Sequence, residues 1–117
     1  MRITSFLWPG LTVLLSVGYL ALGTAEQPTQ QLKEVPDTAI HAGGYGVLAL
    51  AAAESVRILG LGHAPILAAT YAMTHGVLLE ALQSTTRTRK ADPRDLAWDA
   101  VGTIIVLAAW SLWRRRS

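Results

Sequence analysis

Asp37, His41 and Tyr45 stand four residues apart, so on an α-helix, at about 100° per residue, they form one slowly drifting stripe. Glu80 and Gln83 share a helical face by the same arithmetic, and Asp95, Asp99 and Gly102 fall within about 60° of one another. Arg87, Arg89 and Lys90 lie in the polar run between these two groups. Carboxylates and an imidazole are the groups that move protons or hold an amine or sugar hydroxyl. Arginines take a phosphate or carboxylate, Arg being able to grip it with two parallel hydrogen bonds. The set therefore points to recognition of, or chemistry on, a charged polar group.

The elements that must position these residues are membrane-spanning helices. The chain has 117 residues, 51% hydrophobic and 15% charged, where a soluble domain carries roughly 25% charged residues. A single small globule with so few charges could not cover its apolar surface. Ten Lys and Arg stand against eight Asp and Glu, for a net charge of +2. The basic residues fall in local clusters with no basic stripe and interleaved aromatics, so a nucleic-acid partner is not expected. The absence of cysteine excludes disulfides, thiolate metal sites and a Cys nucleophile.

Four helices are expected, at about 6–23, 38–59, 65–83 and 93–113, forming an all-α transmembrane bundle as a single domain over 1–117. Arg2 and Glu26 bracket 23 residues without a charge, and about 20 apolar residues cross a bilayer. A cleaved signal peptide is the rival reading of this stretch, with Arg2 ahead of it and Gly23-Thr24-Ala25 as a small-residue site, but the apolar run is longer than a signal core needs. Pro36-Asp37-Thr38 starts the second helix, whose Ala42, Gly46, Ala49 and Ala53 allow close backbone approach in a bilayer. Gly60, Gly62 and Pro65 make a short turn. Asp92-Pro93 starts the last helix, which runs to Trp113 and is closed by Arg114-Arg115-Arg116. Trp8, Trp98, Trp110 and Trp113 are expected at the headgroup level.

Both termini then lie on one side. Arg2, Arg57, Arg114, Arg115 and Arg116 on that side balance Lys33, Arg87, Arg89, Lys90 and Arg94 on the other. The arginine triplet directly abutting its helix assigns the termini to the cytoplasm and the chain to the cell membrane as a multi-pass protein.

In such a bundle the start of helix two, the end of helix three and the start of helix four share one membrane face, where Asp37, His41, Tyr45, Glu80, Gln83, Arg89, Asp95 and Asp99 converge as ligand-binding residues. A charged side chain at the hydrocarbon boundary needs a partner, a water-filled cavity or a function. Some members have plainer roles as well. Asp37 follows Pro36 and can cap helix two; Asp95 can act in a capping-box-like first turn; Lys90 and Arg94 can be solvated loop charges. Glu54 and Arg57, three apart, are expected to pair within their helix. His63 sits in a turn with no chemical role, and His75, near mid-bilayer, is expected to make an interhelical hydrogen bond. Glu80 has the poorest plain account, being neither a cap nor paired along its helix.

Read in order, Asp37-x3-His41-x3-Tyr45, Glu80-x2-Gln83 and Arg89-x5-Asp95-x3-Asp99-x2-Gly102 resemble the VanZ-like family of small membrane proteins, named for a protein associated with teicoplanin resistance. The resemblance covers about 36–109, helices two to four. The chain departs from it at Asp99, where the family usually has Asn, and at Thr38, where Lys often follows the family's Asp. The resemblance implies a function at the cell envelope, linked in some members to glycopeptide susceptibility, and no defined reaction.

Four functions compete. The first is binding or handling of an anionic envelope lipid or glycopeptide-related headgroup, with membrane lipids as partners and neither cofactor nor metal. The second is an enzyme on a lipid-linked substrate, with His41 or Glu80 as general base, Asp37 orienting the imidazole and Arg89 stabilising negative charge. No nucleophile elbow, metal-spaced His pair or Gly-rich phosphate loop adds to it. The third is a proton path from Glu80 through His75 to Glu54. The fourth is an accessory subunit packed on a larger membrane-protein partner.

Overall fold

Gly60 adopts φ +76° and His63 φ +62°, and these two left-handed residues turn the chain sharply enough for consecutive helices to run back along each other. The computed structural model describes residues 3–24, 37–85 and 93–115. They form a 3₁₀ turn at Ile3–Phe6 and four helices: α1 (Leu7–Thr24), α2 (Asp37–Ile58), α3 (Ala64–Gln83) and α4 (Pro93–Arg115). The boundaries follow the punctuation in the sequence to within one residue, save one. The exception with consequences is the end of α4, which continues through Arg114 and Arg115 instead of stopping at Trp113. Arg114 therefore projects from a helix at a fixed angle.

The chain is inside out relative to a water-soluble protein. Glu54, His75, Asp99 and Thr103 are buried, while Leu14, Ile66 and Ile104 are each about two-thirds exposed. An exterior of large apolar side chains fits hydrocarbon rather than water. α1, α3 and α4 are long and apolar enough to cross a membrane. α2, expected as a fourth span, does not meet that composition, and its position explains why: it packs against all three other helices, with Leu48, Ala49, Ala51 and Ala53 wholly buried. A helix packed on three neighbours needs less lipid-facing apolar surface, so much of its sequence is small, with His41, Glu54 and Arg57 lowering its hydropathy; Val47 remains about half exposed.

Cross-helix hydrogen bonds fix the directions. α2 and α4 are parallel, His41 meeting Asp99 and Glu54 meeting Trp110, partners 58 and 56 residues apart along the chain. α1 is antiparallel to α2, pairing Thr12 with Ser55 and Tyr19 with Gly44. The small residues set the spacing: Gly102 rests on the backbone of Ala42, and Gly46 rests on Val106 and on the Gly102 carbonyl. Ala42 and Gly46, singled out as small residues of α2, are thus the contact with α4.

Candidate functional site

Because α2 and α4 run parallel, their N-terminal ends lie together, and α3 brings its C-terminal end to the same place. His41, one turn into α2, is held there by two carboxylates of α4. Its Nδ1 is 2.7 Å from Asp99 Oδ1, and its Nε2 is 3.4 Å from Asp95 Oδ2. The four-residue spacing of Asp95 and Asp99 puts one above the other on the helix, so a single imidazole faces both. The first contact is a short hydrogen bond; the second is too long for a strong one and is an ion pair only when the ring is protonated. With Asp99 ionised, Nδ1 carries the hydrogen and donates it. Asp99 is 2% exposed, and Gly76 of α3 makes the space for it, since a Cβ on Gly76 would meet Asp99 Oδ2 at 2.8 Å. The positive N-terminal ends of α2 and α4 favour the negative charge gathered here.

Glu80 of α3 lies close enough to act electrostatically on His41. The structure therefore brings His41, Glu80, Asp95 and Asp99 together from three helices. Asp37 opens α2, but its side chain lies outside the described residues, as do Arg87, Arg89 and Lys90. Asp99 orients the imidazole through Nδ1.

Two expected members point elsewhere. Tyr45 stacks beneath His41, the rings 6.4 Å apart and 6° from parallel, but its hydroxyl reaches into the core, 2.7 Å from His75 Nδ1. Gln83 turns to α1 and donates from Nε2 to the Gly23 carbonyl at 2.9 Å. Both contacts tie helices together. His75 also faces the Ser16 carbonyl with Nε2, at 2.8 Å. A carbonyl only accepts, so Nε2 holds the hydrogen, and in the neutral ring Nδ1 accepts from Tyr45. Ser16 in turn bonds Tyr71 through its hydroxyl. This row ties α1, α2 and α3 at mid-height, the interhelical bonding expected of His75.

The opposite end of the bundle holds a second polar cluster. The Glu54–Arg57 pair is present, Arg57 donating Nε and Nη2 to Oε2 at 3.1 and 2.7 Å. Oε1 accepts from Trp110 Nε1 at 2.7 Å and Arg114 Nη2 at 2.5 Å. Trp110, expected at the headgroups, is 8% exposed and acts as an internal donor. The signal for this in the sequence was an acidic residue inside an apolar helix, with more acceptor capacity than Arg57 alone uses.

Among the described residues, no group of three or more His, Asp or Glu side chains is arranged to hold a metal ion. What the first cluster offers is an oriented imidazole and carboxylates at the mouth of the bundle, able to accept hydrogen bonds, hold a cation or take up a proton. No family model, curated protein or solved structure matches this chain.

Proposed function

We propose that this chain is a four-span protein of the cell membrane, of the VanZ-like type, that binds the polar headgroup of an anionic envelope lipid or a glycopeptide-related molecule at the shared end of α2, α3 and α4. The observation that carries the reading is the placement of His41 between Asp95 and Asp99, beside Glu80. Carboxylates and an imidazole gathered at the ends of three helices are groups that recognise hydroxyls, amines or cations of a polar headgroup. In the sequence the basic run Arg87, Arg89 and Lys90 lies between α3 and α4. Its guanidiniums supply the anion contact, while the carboxylates hold the arginines and bond hydroxyls or an amine of the headgroup. The apolar flanks of α3 and α4 accommodate the lipid tail. In this reading the termini are cytoplasmic and the site faces outward.

The test is mass spectrometry of lipids retained after mild extraction, comparing wild type with folded, equally abundant Arg89→Ala and His41→Ala variants. A specific anionic lipid retained by wild type and lost from both supports the reading. Identical bulk-lipid profiles in all three sink it and favour an accessory subunit bound to a membrane-protein partner. One observation supports a second reading as an enzyme: the Asp99–His41 hydrogen bond fixes a ring whose other nitrogen can serve as a general base, with Glu80 as the alternative base. Normal turnover by His41→Ala of a lipid identified in the first experiment would exclude that role for His41.

A further inference from the structure

The Glu54 cluster contains more positive charge than its carboxylate uses. Arg57 and Arg114 both bond Glu54, leaving one guanidinium charge in excess, and exposed Arg115 adds another in the same turn of α4. The C-terminal ends of α2 and α4 lie here too, each carrying roughly half a negative charge; this reduces the excess without cancelling it. One donor is also left over: Arg114 Nε is buried and has no hydrogen-bond acceptor among the described residues. A buried, charged N–H without an acceptor is costly, so it marks a place where an acceptor belongs. Beside it lies a cavity of about 340 Å³ lined by Trp8, Leu50, Glu54, Arg57, Trp113 and Arg114. The Arg114 guanidinium is fixed over the Trp113 ring, 4.5 Å from its centroid.

The geometry points to a second binding site in this cavity, for the phosphate group of an anionic phospholipid of the leaflet at the terminal end of the bundle. Arg114 and Arg57 donate to the phosphate oxygens. Trp8 and Trp113 flank the headgroup, as tryptophans do at a membrane interface, and Leu50 begins the apolar surface along which the acyl chains run. The site rests on the reading of the bundle as membrane-embedded, but it is at the far end from His41 and independent of what binds there.

The full chain carrying Trp98→Phe, so that the remaining tryptophans all report on this end, is purified in phosphate-free detergent. It is titrated with short-chain phosphatidylglycerol and, separately, with inorganic phosphate, following tryptophan emission and native mass spectrometry. Saturable binding of the lipid alone assigns the site to a membrane lipid; saturation by both shows that the phosphate group itself is the recognised element. Arg114→Lys keeps the charge and removes Nε, and should weaken binding about tenfold or more, the worth of one charge-assisted hydrogen bond. Trp113→Ala, at an exposed position that leaves Glu54 and its donors in place, should do the same without lowering stability. His41→Ala should bind like its parent, which separates this site from the headgroup site at the other end. Absence of saturation with either probe, or equal binding by the parent and both variants of this end, overturns the proposal.

Discussion

A Cβ built on Gly102 would stand 1.9 Å from the carbonyl oxygen of Ala42, so α4 rests backbone to backbone on α2 just below the His41–Asp99 pair. Gly102→Ala must push the helices apart, because the obstacle is backbone and cannot rotate away. Overpacking of this kind costs about 1–3 kcal/mol, sometimes more. Thermal unfolding in detergent should show that loss, while Gly18→Ala, where a methyl meets nothing within 4 Å, should be neutral or stabilising by up to about 1 kcal/mol. Equal melting temperatures for the two variants would contradict the packing.

The two carboxylates on His41 should differ in weight. Asp99 is almost fully buried, whereas the Asp95 side chain is 20% exposed and its contact is long. Asp99→Ala leaves a buried imidazole nitrogen without its acceptor and should cost about 1–3 kcal/mol. Asp95→Ala should cost less than about 1 kcal/mol, as for a partly solvated ion pair. Asp99→Asn keeps an acceptor for Nδ1 and should lie between them. Unfolding curves for the three variants give the order directly.

His75 should act as a clamp rather than a proton carrier. Its Nε2–H ends on the Ser16 carbonyl, which has no proton to pass on, and Tyr45 meets His41 by stacking rather than by a hydrogen bond. Proteoliposomes should therefore show no proton movement that His75→Gln abolishes. Tyr45→Phe, which removes the donor to Nδ1, should cost about 0.6–1.7 kcal/mol, the range of interhelical hydrogen bonds in membranes. A proton flux lost in His75→Gln would restore the relay reading.

The sequence showed this fold unevenly, and the unevenness has physical causes. Gly60, Pro65 and Pro93 act on their own backbone, so the helix limits around them could be read locally. The meeting of His41 with Asp95 and Asp99 was also legible, because alternating helices bring those ends together whichever helices are neighbours. The pairing of Glu54 with Arg57 was legible, but its partners on α4 were not. Arg57 is three residues away and satisfies the expectation of a local pair, while Trp110 and Arg114 reach Glu54 only because α2 and α4 are in direct contact, and no local pattern encodes that choice. Arg114 was further disguised by the triplet it opens, which reads as a stop at the membrane surface. The bond from Gln83 to the Gly23 carbonyl of α1 was not legible for the same reason: its periodic face is shared with Glu80, and no local pattern encodes the neighbouring helix.

Glu54 should therefore be the most sensitive charged residue of the terminal end. Its carboxylate is 4% exposed and accepts from three side chains on two helices. Glu54→Ala would leave two partly exposed guanidiniums and a buried indole N–H without their shared acceptor. Loss of a buried acceptor costs about 1–3 kcal/mol, and the partial exposure of both guanidiniums keeps the charge contribution below that of a fully buried pair. Arg57→Ala should cost about 1 kcal/mol or less, because its side chain is 43% exposed and Arg114 still neutralises the carboxylate. Glu54→Gln, which retains an acceptor for Trp110 but not the charge, should fall between the two. Chemical or thermal unfolding in detergent distinguishes these cases: if Glu54→Ala and Arg57→Ala were equally mild, the cluster would be a solvated surface pair and the cavity beside it would lose its buried charge.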